Sequence, residues 1–211
     1  MPTIALVDYG AGNIPSVERA LDVARSESGA AFDVLVTCDP DQVANADHVV
    51  IPGVGHFRDC KAGLAAPSGM IEALETVKAA GKPILGICVG MQLMADIGLE
   101  DGKTDGLSWI SGTVDAIPEA GLPIPHMGWN ELSIETDHPV LDDIRPGDHA
   151  YFVHSYHFQV KNEDDLLLTT EYGGRVTAAI AKDNLIGVQF HPEISQKTGL
   201  TLLKNWINWR P

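Results

Sequence analysis

The first half of the chain alternates short apolar runs, rich in β-branched residues, with longer segments of helical periodicity. Short apolar runs of this kind are typical of strands buried on both faces of a parallel sheet, with helices between them. The strand-like runs are 3–7, 32–36, 48–51 and 83–87, and the clearest helical segments are 14–25 and 70–80. We therefore expect an α/β fold built on a mostly parallel sheet with flanking helices.

The sequence pattern changes between about residues 107 and 183, where short strand-like runs are separated by Gly, Pro, Asn and Asp. Such spacing is typical of antiparallel strands joined by turns. One more buried strand follows at 185–190, and residues 198–209 have the apolar spacing of a helix. We predict a single domain over residues 1–211, in which a central, mostly parallel sheet carries a largely antiparallel β section.

Composition excludes several classes of partner. The formal net charge of −15 repels phosphate backbones and anionic lipids, so we expect no nucleic-acid or membrane binding. No apolar run approaches the ~20 residues that cross a bilayer, and no basic leader precedes an apolar stretch at the N-terminus. The three cysteines, Cys38, Cys60 and Cys88, have unrelated spacings that indicate reduced thiols. We expect a soluble, cytoplasmic protein.

The most informative segment is a buried strand that runs into Gly86-Ile87-Cys88-Val89-Gly90 and then into a predicted helix. In such a nucleophile elbow, the central side chain projects above the sheet and the glycines relieve crowding around it. The Val89 amide can then face a developing oxyanion. An isolated cysteine is more often a small core residue, but its place between glycines at a strand-to-helix junction favours a nucleophile.

A second candidate segment is His191-Pro192-Glu193, which follows the buried strand at 185–190. Sites assemble at the carboxyl ends of parallel strands, where His191 would act as general base and acid and Glu193 would orient the imidazole. Alone, the tripeptide would more often be a surface turn. Together with the elbow, it predicts a Cys-His-Glu triad.

The segment Pro52-Gly53-Val54-Gly55 also follows a buried strand, and its glycines leave backbone amides open to approach. We interpret it as an oxyanion strand; the alternative is a plain glycine-rich turn. It matches neither the Walker pattern nor the dinucleotide fingerprint. Before the first helix, Asn13 is placed to act as its N-cap.

Two sets of polar residues are assigned no catalytic chemistry. Alternation along one strand would send His154 and His157 to opposite faces, so with His149 they are not expected to form a zinc site. We expect neither a metal nor a cofactor. Solvated surface is predicted for the acidic residues in polar surroundings: Glu100, Asp101, Asp105, Glu163, Asp164 and Asp165.

The elbow Gly-Ile-Cys-Val-Gly-Met-Gln at 86–92 and the segment Gln-Phe-His-Pro-Glu at 189–193 resemble the motifs of class I (triad) glutamine amidotransferases. Four further segments are similar to those of one branch of that family, the glutaminase subunit of imidazole glycerol phosphate synthase. They are Asp-Tyr-Gly-Ala-Gly-Asn at 8–13, Pro-Gly-Val-Gly at 52–55, Pro-His-Met-Gly-Trp-Asn at 125–130 and Tyr-Phe-Val-His-Ser-Tyr at 151–156.

The resemblance implies a flavodoxin-like fold and hydrolysis of glutamine to glutamate and ammonia. The ammonia would pass to a (β/α)8 cyclase subunit in histidine biosynthesis, within a heterodimer. Cys88 would form a glutamyl thioester, and His191 and Glu193 would complete the triad. Oxyanion and substrate binding would fall to Gly53, Val54, Gly55, Val89, Gln92, Ser155 and Tyr156.

By the same resemblance, the cyclase would dock against Asn13, Met127, Trp129 and Tyr151. Trp129 has an equal alternative role as a core residue of the β section. The chain departs from the family at Ile194, because family members usually carry Lys after the triad glutamate. A salt bridge between the subunits is therefore in doubt, although the chemistry needs no side chain at that position.

Three other functions remain open at the level of sequence. A stand-alone Cys-His-Glu hydrolase acting on a γ-glutamyl bond or thioester would share the elbow and triad. A sister amidotransferase of another pathway would share them too, but would not be expected to carry the segment at 125–130. An inactive scaffold would not need to retain Cys88, His191 and Glu193.

Overall fold

The computed structural model describes residues 2–211, which form one large mixed sheet and two small sheets flanked by helices. The strands are β1 (Thr3–Val7), β2 (Asp33–Thr37), β3 (His48–Ile51), β4 (Ile84–Ile87), β5 (Ile97–Gly98), β6 (Thr104–Asp105), β7 (Gly112–Ala116), β8 (His126–Glu131), β9 (Ser133–Ile134), β10 (His149–His154), β11 (Tyr156–Val160), β12 (Leu166–Glu171), β13 (Arg175–Lys182) and β14 (Leu185–Val188). The helices are α1 (Ile14–Ser28), α2 (Pro40–Asn45), α3 (Phe57–Ala65), α4 (Met70–Ala79), α5 (Val89–Gln92) and α6 (Gln196–Asn208), and two short 3₁₀ turns span Pro139–Leu141 and Glu163–Asp165.

The large sheet has the strand order β2-β1-β3-β4-β14-β13-β12-β9. Its first five strands are parallel and its last four pair antiparallel, with β14 belonging to both halves. Strands β3, β4 and β14 are buried at every position, as expected for strands covered on both faces. The predicted parallel sheet with an antiparallel section is therefore confirmed.

The chain order reverses at β1, because β1 leads outward to β2 while β3 leads inward to β4. Right-handed crossovers then place the connecting helices on opposite faces, and a crevice opens at the carboxyl ends of the strands. The helices pack accordingly as α1 with α6 and α2 with α4. Apolar residues of α1 at helical spacing, Val17, Leu21 and Ala24, are buried. Among residues 2–211, no helix is long and apolar enough to cross a membrane.

Two local expectations were wrong. Asn13 precedes α1, but its side chain makes no capping bond; its φ of −87° and ψ of 69° lie outside the extended cap conformation, and its backbone carbonyl accepts the Ser16 and Val17 amides instead. Asp165, predicted to be solvated, is buried at the end of a 3₁₀ turn, where burial raises the pKa of its carboxyl.

Buried neutral histidines should make the fold sensitive to acid. Burial lowers the pKa of His48 to about 4, of His126 to about 4 and of His154 to about 3. Below pH ~6.5 the unfolded chain takes up these protons and the native state does not, so the free energy of unfolding falls by up to about 1.4 kcal/mol per pH unit for each histidine.

Urea unfolding at pH 7.5 and 5.0 measures this loss. His48→Asn should reduce the pH dependence, whereas His149→Asn, at an exposed histidine, should retain it. An identical dependence in His48→Asn and the parent chain would contradict the assignment.

Candidate active site

Cys88 lies immediately after β4 in a strained turn, with φ of 53° and ψ of −113°. A side chain rarely adopts this conformation, so the local geometry is held by its surroundings. A Cβ on Gly90 would lie 1.9 Å from the Ile51 carbonyl oxygen, and one on Gly86 would lie 2.7 Å from the Gly90 backbone. The two glycines therefore allow the elbow to pack against the end of β3.

The predicted helix after the elbow is a single turn, α5. In a longer helix, the carbonyls of Leu93 and Met94 would accept amides of the next turn. Here they accept amides from another segment instead, the Leu93 carbonyl from Leu107 and the Met94 carbonyl from Trp109. A helix of one turn has little macrodipole. The short helix therefore offers Cys88 little electrostatic stabilisation, and the main electrostatic partner within reach is a neighbouring basic side chain.

That neighbour is His191. Strands β4 and β14 are adjacent and parallel, with Ile87 opposite Val188. The segments that follow them, which carry Cys88 and His191, therefore leave the sheet at the same edge. The Cys88 amide donates to the Val188 carbonyl at 2.8 Å. The His191 backbone is held from the other side, where its amide donates to the Tyr151 carbonyl at 3.0 Å.

The His191 ring is buried and pairs with Glu193, whose side chain is 1% exposed; Nδ1 lies 2.8 Å from Oε1. This contact leaves Nε2 for proton exchange. Nε2 has no hydrogen-bond partner among the described residues, although Cys88 lies near enough to raise the pKa of the ring. Burial lowers the pKa of His191, but the thiol and Glu193 outweigh burial and raise that pKa to about 10. The arrangement favours an imidazolium beside Cys88.

A cavity of about 380 Å³ opens above Cys88. It brings together many of the residues predicted for the site, because its wall includes Val54, Gly55, Cys88, Val89, Gln92, Ser155, Tyr156 and His191. Gly53 is buried directly behind them: a Cβ there would lie 2.6 Å from the Gly90 amide nitrogen. Glu193 lies behind His191 and does not line the cavity.

The predicted oxyanion hole is closed in this structure. The Val89 amide donates to the Gly53 carbonyl at 3.2 Å, so it is already occupied. Because the carbonyl and amide of one trans peptide point in opposite directions, the Val54 amide faces away from Val89. Tyr9 donates its hydroxyl to the Pro52 carbonyl, and the Cys60 thiol donates to the Val54 carbonyl at 3.3 Å. Rotation of the 53–54 peptide would free one amide and turn the other inward.

The structure adds residues to the site that were missed in the sequence, among them Glu100 and Gln189. Glu100, predicted to be solvated, lines the cavity with a side chain only 15% exposed; its carboxylate accepts the Phe57 amide at 2.8 Å and lies 3.1 Å from His56. Gln189 is fully buried and donates to the Cys88 sulfur at 3.5 Å while accepting from Gln92 at 2.9 Å. A glutamine inside an apolar strand end was a usable signal, whereas nothing local distinguished Glu100.

The predicted docking residues lie outside the cavity. Met127 and Trp129 alternate outward along β8 and are 62% and 46% exposed, so Trp129 is not a core residue. Its ring meets that of Tyr151 edge to face at 5.9 Å. Asn13 is also exposed, as is Ile194 after the triad glutamate.

The histidines considered for zinc are separated. His154 ends β10 and His157 lies in β11, on two different sheets, because the chain changes sheet at Ser155. The predicted alternation along one strand was therefore wrong. Within residues 2–211, no group of three His, Cys, Asp or Glu residues is placed to hold a metal ion.

The strained backbone at Cys88 should affect the free energy of unfolding of variants at this position. Cys88→Gly should be more stable than Cys88→Ala by about 1 kcal/mol or more, because glycine adopts this φ and ψ freely while alanine keeps the strained Cβ. Ala24→Gly, in α1, should instead lose about 1 kcal/mol relative to the parent chain. Chemical unfolding measures all three; an Ala variant more stable than the Gly variant at position 88 would refute the strain.

The chain matches the family described as Glutamine amidotransferase class-I over residues 5–209. It is 50% identical to "Imidazole glycerol phosphate synthase subunit HisH" of Brucella abortus (strain 2308) and 51% identical to the protein of that name from Rhodospirillum rubrum, with 99% of each chain covered. Among solved structures, PurLQS from Thermotoga maritima has a TM-score of 0.74 at 17% identity, covering 98% of this chain and 97% of that one. A glutamine amidotransferase from the same organism has a TM-score of 0.63 at 17% identity, covering 92% and 76%. These structures share the fold, as predicted, and the chain belongs to the class-I glutamine amidotransferase family, in its branch of imidazole glycerol phosphate synthase HisH subunits.

Proposed function

We propose that this chain is the glutamine-hydrolysing subunit of an imidazole glycerol phosphate synthase in histidine biosynthesis, and that it hands ammonia to a (β/α)8 cyclase subunit. The relatives' names support the pathway and the subunit. The observation that supports this chemistry is that Cys88 and His191 line one cavity, with Glu193 hydrogen-bonded to His191 from behind at 2.8 Å.

In the proposed first step, the Cys88 thiolate attacks the side-chain carbonyl carbon of glutamine. The carbon–nitrogen bond breaks, the His191 imidazolium gives its proton to the departing nitrogen, and ammonia leaves a glutamyl thioester on Cys88. Glu193 accepts a hydrogen bond from Nδ1 of His191 and holds the proton on that atom, so that Nε2 is the atom that exchanges the proton.

In the second step, neutral His191 takes a proton from water as the water oxygen attacks the thioester. The carbon–sulfur bond breaks, which releases glutamate and regenerates the thiolate and imidazolium. Both steps pass through a tetrahedral oxyanion, for which we propose the Val89 and Val54 amides as backbone donors. The first is occupied and the second is turned away, so we propose that free enzyme is slow and that partner docking favours the rotated peptide.

The proposed docking face is β8 with its neighbours. Two large apolar side chains, Met127 and Trp129, are exposed on one strand, and Trp129 is supported by Tyr151. Aromatic residues of this kind are common binding anchors. Ile194 is also exposed, and an uncharged side chain there would make this interface depend less on salt at that point.

Glutamate release from glutamine tests the proposal. The isolated chain should be slow, and addition of a cyclase subunit with its ribonucleotide ligand should raise kcat by at least about a hundredfold, since one oxyanion donor supplies about 10²–10³ in rate. Cys88→Ala should abolish release under every condition.

High turnover by the isolated chain would favour the alternative of a stand-alone γ-glutamyl hydrolase. No release that depends on Cys88 in any mixture would overturn the enzyme assignment. Circular dichroism of Cys88→Ala controls for loss of fold.

Glu100 is the one carboxylate among the described residues that line the cavity, and it is suited to hold the α-ammonium group of glutamine. Glu100→Gln should raise KM for glutamine about tenfold, with a smaller change in kcat, because a charged hydrogen bond becomes neutral. Asp101→Asn is the matched control, since Asp101 also approaches His56 but is 60% exposed and does not line the cavity. Equal effects of both substitutions would contradict this role.

A further inference from the structure

His126 and His154 form a buried pair behind the cavity. They lie directly opposite each other at the end of the two-stranded β8–β10 sheet, and Nδ1 of His126 is 3.0 Å from Nε2 of His154. His154 reaches the cavity wall, whereas His126 does not. The triad chemistry uses neither ring.

The hydrogen bonds around the pair fix both tautomers. His154 must carry its proton on Nδ1, because that atom contacts the Tyr156 carbonyl at 2.8 Å and a carbonyl only accepts. Its Nε2 therefore accepts from His126 Nδ1, and the Nε2 of His126 accepts from the Asn130 side-chain amide at 3.2 Å. The chain of donors runs in one direction, from Asn130 to Tyr156.

The rings have little freedom to leave this arrangement. His126 is stacked between Phe152 and Tyr172, with ring centroids 4.8 Å and 4.0 Å away and interplanar angles of 20° and 25°. His126 and His154 are 2% and 6% exposed. Burial lowers the pKa of both, which keeps them neutral as the tautomers require.

The last donor in this series, Nδ1 of His154, fixes the orientation of the Tyr156 carbonyl. The Ile117 amide donates to the Ser155 carbonyl, so the opposed residues Tyr156 and Ala116 form a non-hydrogen-bonded pair. The carbonyl and amide of Tyr156 thus both point away from β7, and β11 has no further strand on that side. His154 and Gln92 bind the carbonyl. The Tyr156 amide lies on the same side of the strand as this carbonyl, and Tyr156, Gln92 and His154 all line the cavity, so an anionic group there would find a donor.

We propose that His154, held in its tautomer by His126, is a positioning residue that fixes the Tyr156 main chain so that its amide binds the α-carboxylate of the amino-acid substrate. This role rests on the proposed glutaminase function. It assigns to the His126–His154 pair an effect on substrate affinity and none on the reactivity of Cys88.

Two substitutions of His154 separate its two bonds. Asn places its amide nitrogen near the Nδ1 position and keeps the bond to the Tyr156 carbonyl, while Gln reaches the Nε2 position and keeps only the bond to His126. The probe is 6-diazo-5-oxo-L-norleucine, a glutamine analogue that alkylates a thiol with loss of dinitrogen. Its saturation kinetics at the Cys88 peptide are followed by mass spectrometry on the full chain, with iodoacetamide as a probe that lacks the amino-acid group.

His154→Gln should raise the half-saturating concentration of the diazo ketone about tenfold, and His154→Asn should stay within about twofold of the parent chain. His126→Phe, which keeps the ring stack but removes the donor, should give an intermediate rise. Iodoacetamide should label Cys88 at the same rate in all four proteins.

Equal affinity in His154→Gln and the parent chain would overturn the proposal, as would equal shifts in the Asn and Gln variants. A parallel fall in iodoacetamide labelling would also overturn it, because the pair would then act on the structure of the elbow. If the parent chain were not saturably labelled at Cys88, the proposed function itself would fail, and the inference with it.

Discussion

The structure depends on the close contact between the end of β3 and the turn after β4. The Ile51 carbonyl oxygen lies only 1.9 Å from the position that a Cβ of residue 90 would take, and the Gly53 carbonyl accepts the Val89 amide. This contact holds Cys88 at a positive φ, which residues with a side chain rarely adopt. The same contact occupies the Val89 amide, which is one of the proposed oxyanion donors. One interaction thus shapes the turn of the proposed nucleophile and closes the proposed oxyanion hole, as expected if the enzyme acts only with its proposed partner.

The antiparallel section joins the reacting groups to the surface. Strand β10 supplies the Tyr151 carbonyl that holds the His191 backbone, and its end reaches the cavity at His154. Its neighbour β8 turns Met127 and Trp129 outward. The two-stranded β8–β10 sheet therefore connects the proposed docking face to the cavity. Because both strands are tied to the cavity by hydrogen bonds, a shift of β8 on docking would change the shape of the cavity wall.

Much of the fold and the centre of the candidate site could be predicted from local patterns. Buried runs reveal parallel strands, and glycines beside Cys88 reveal a tight turn, because both signals depend on neighbours in sequence. The errors have tertiary causes. The helix after the elbow stops at one turn because residues 107–109 take its carbonyls, and Glu100 lines the cavity because it binds the Phe57 amide. The His126–His154 pair exists only once β8 and β10 are paired.

Strands β4 and β14 are neighbours in the sheet, but the whole antiparallel section lies between them in the sequence. During synthesis on the ribosome, Cys88 therefore emerges well before His191 and Glu193, and the sheet gains their strand only after the intervening section has been made. A nascent chain with a folded elbow still lacks the proposed base and the carboxylate beside it. The order of the elements along the chain therefore makes the proposed triad one of the last parts of the molecule to be completed.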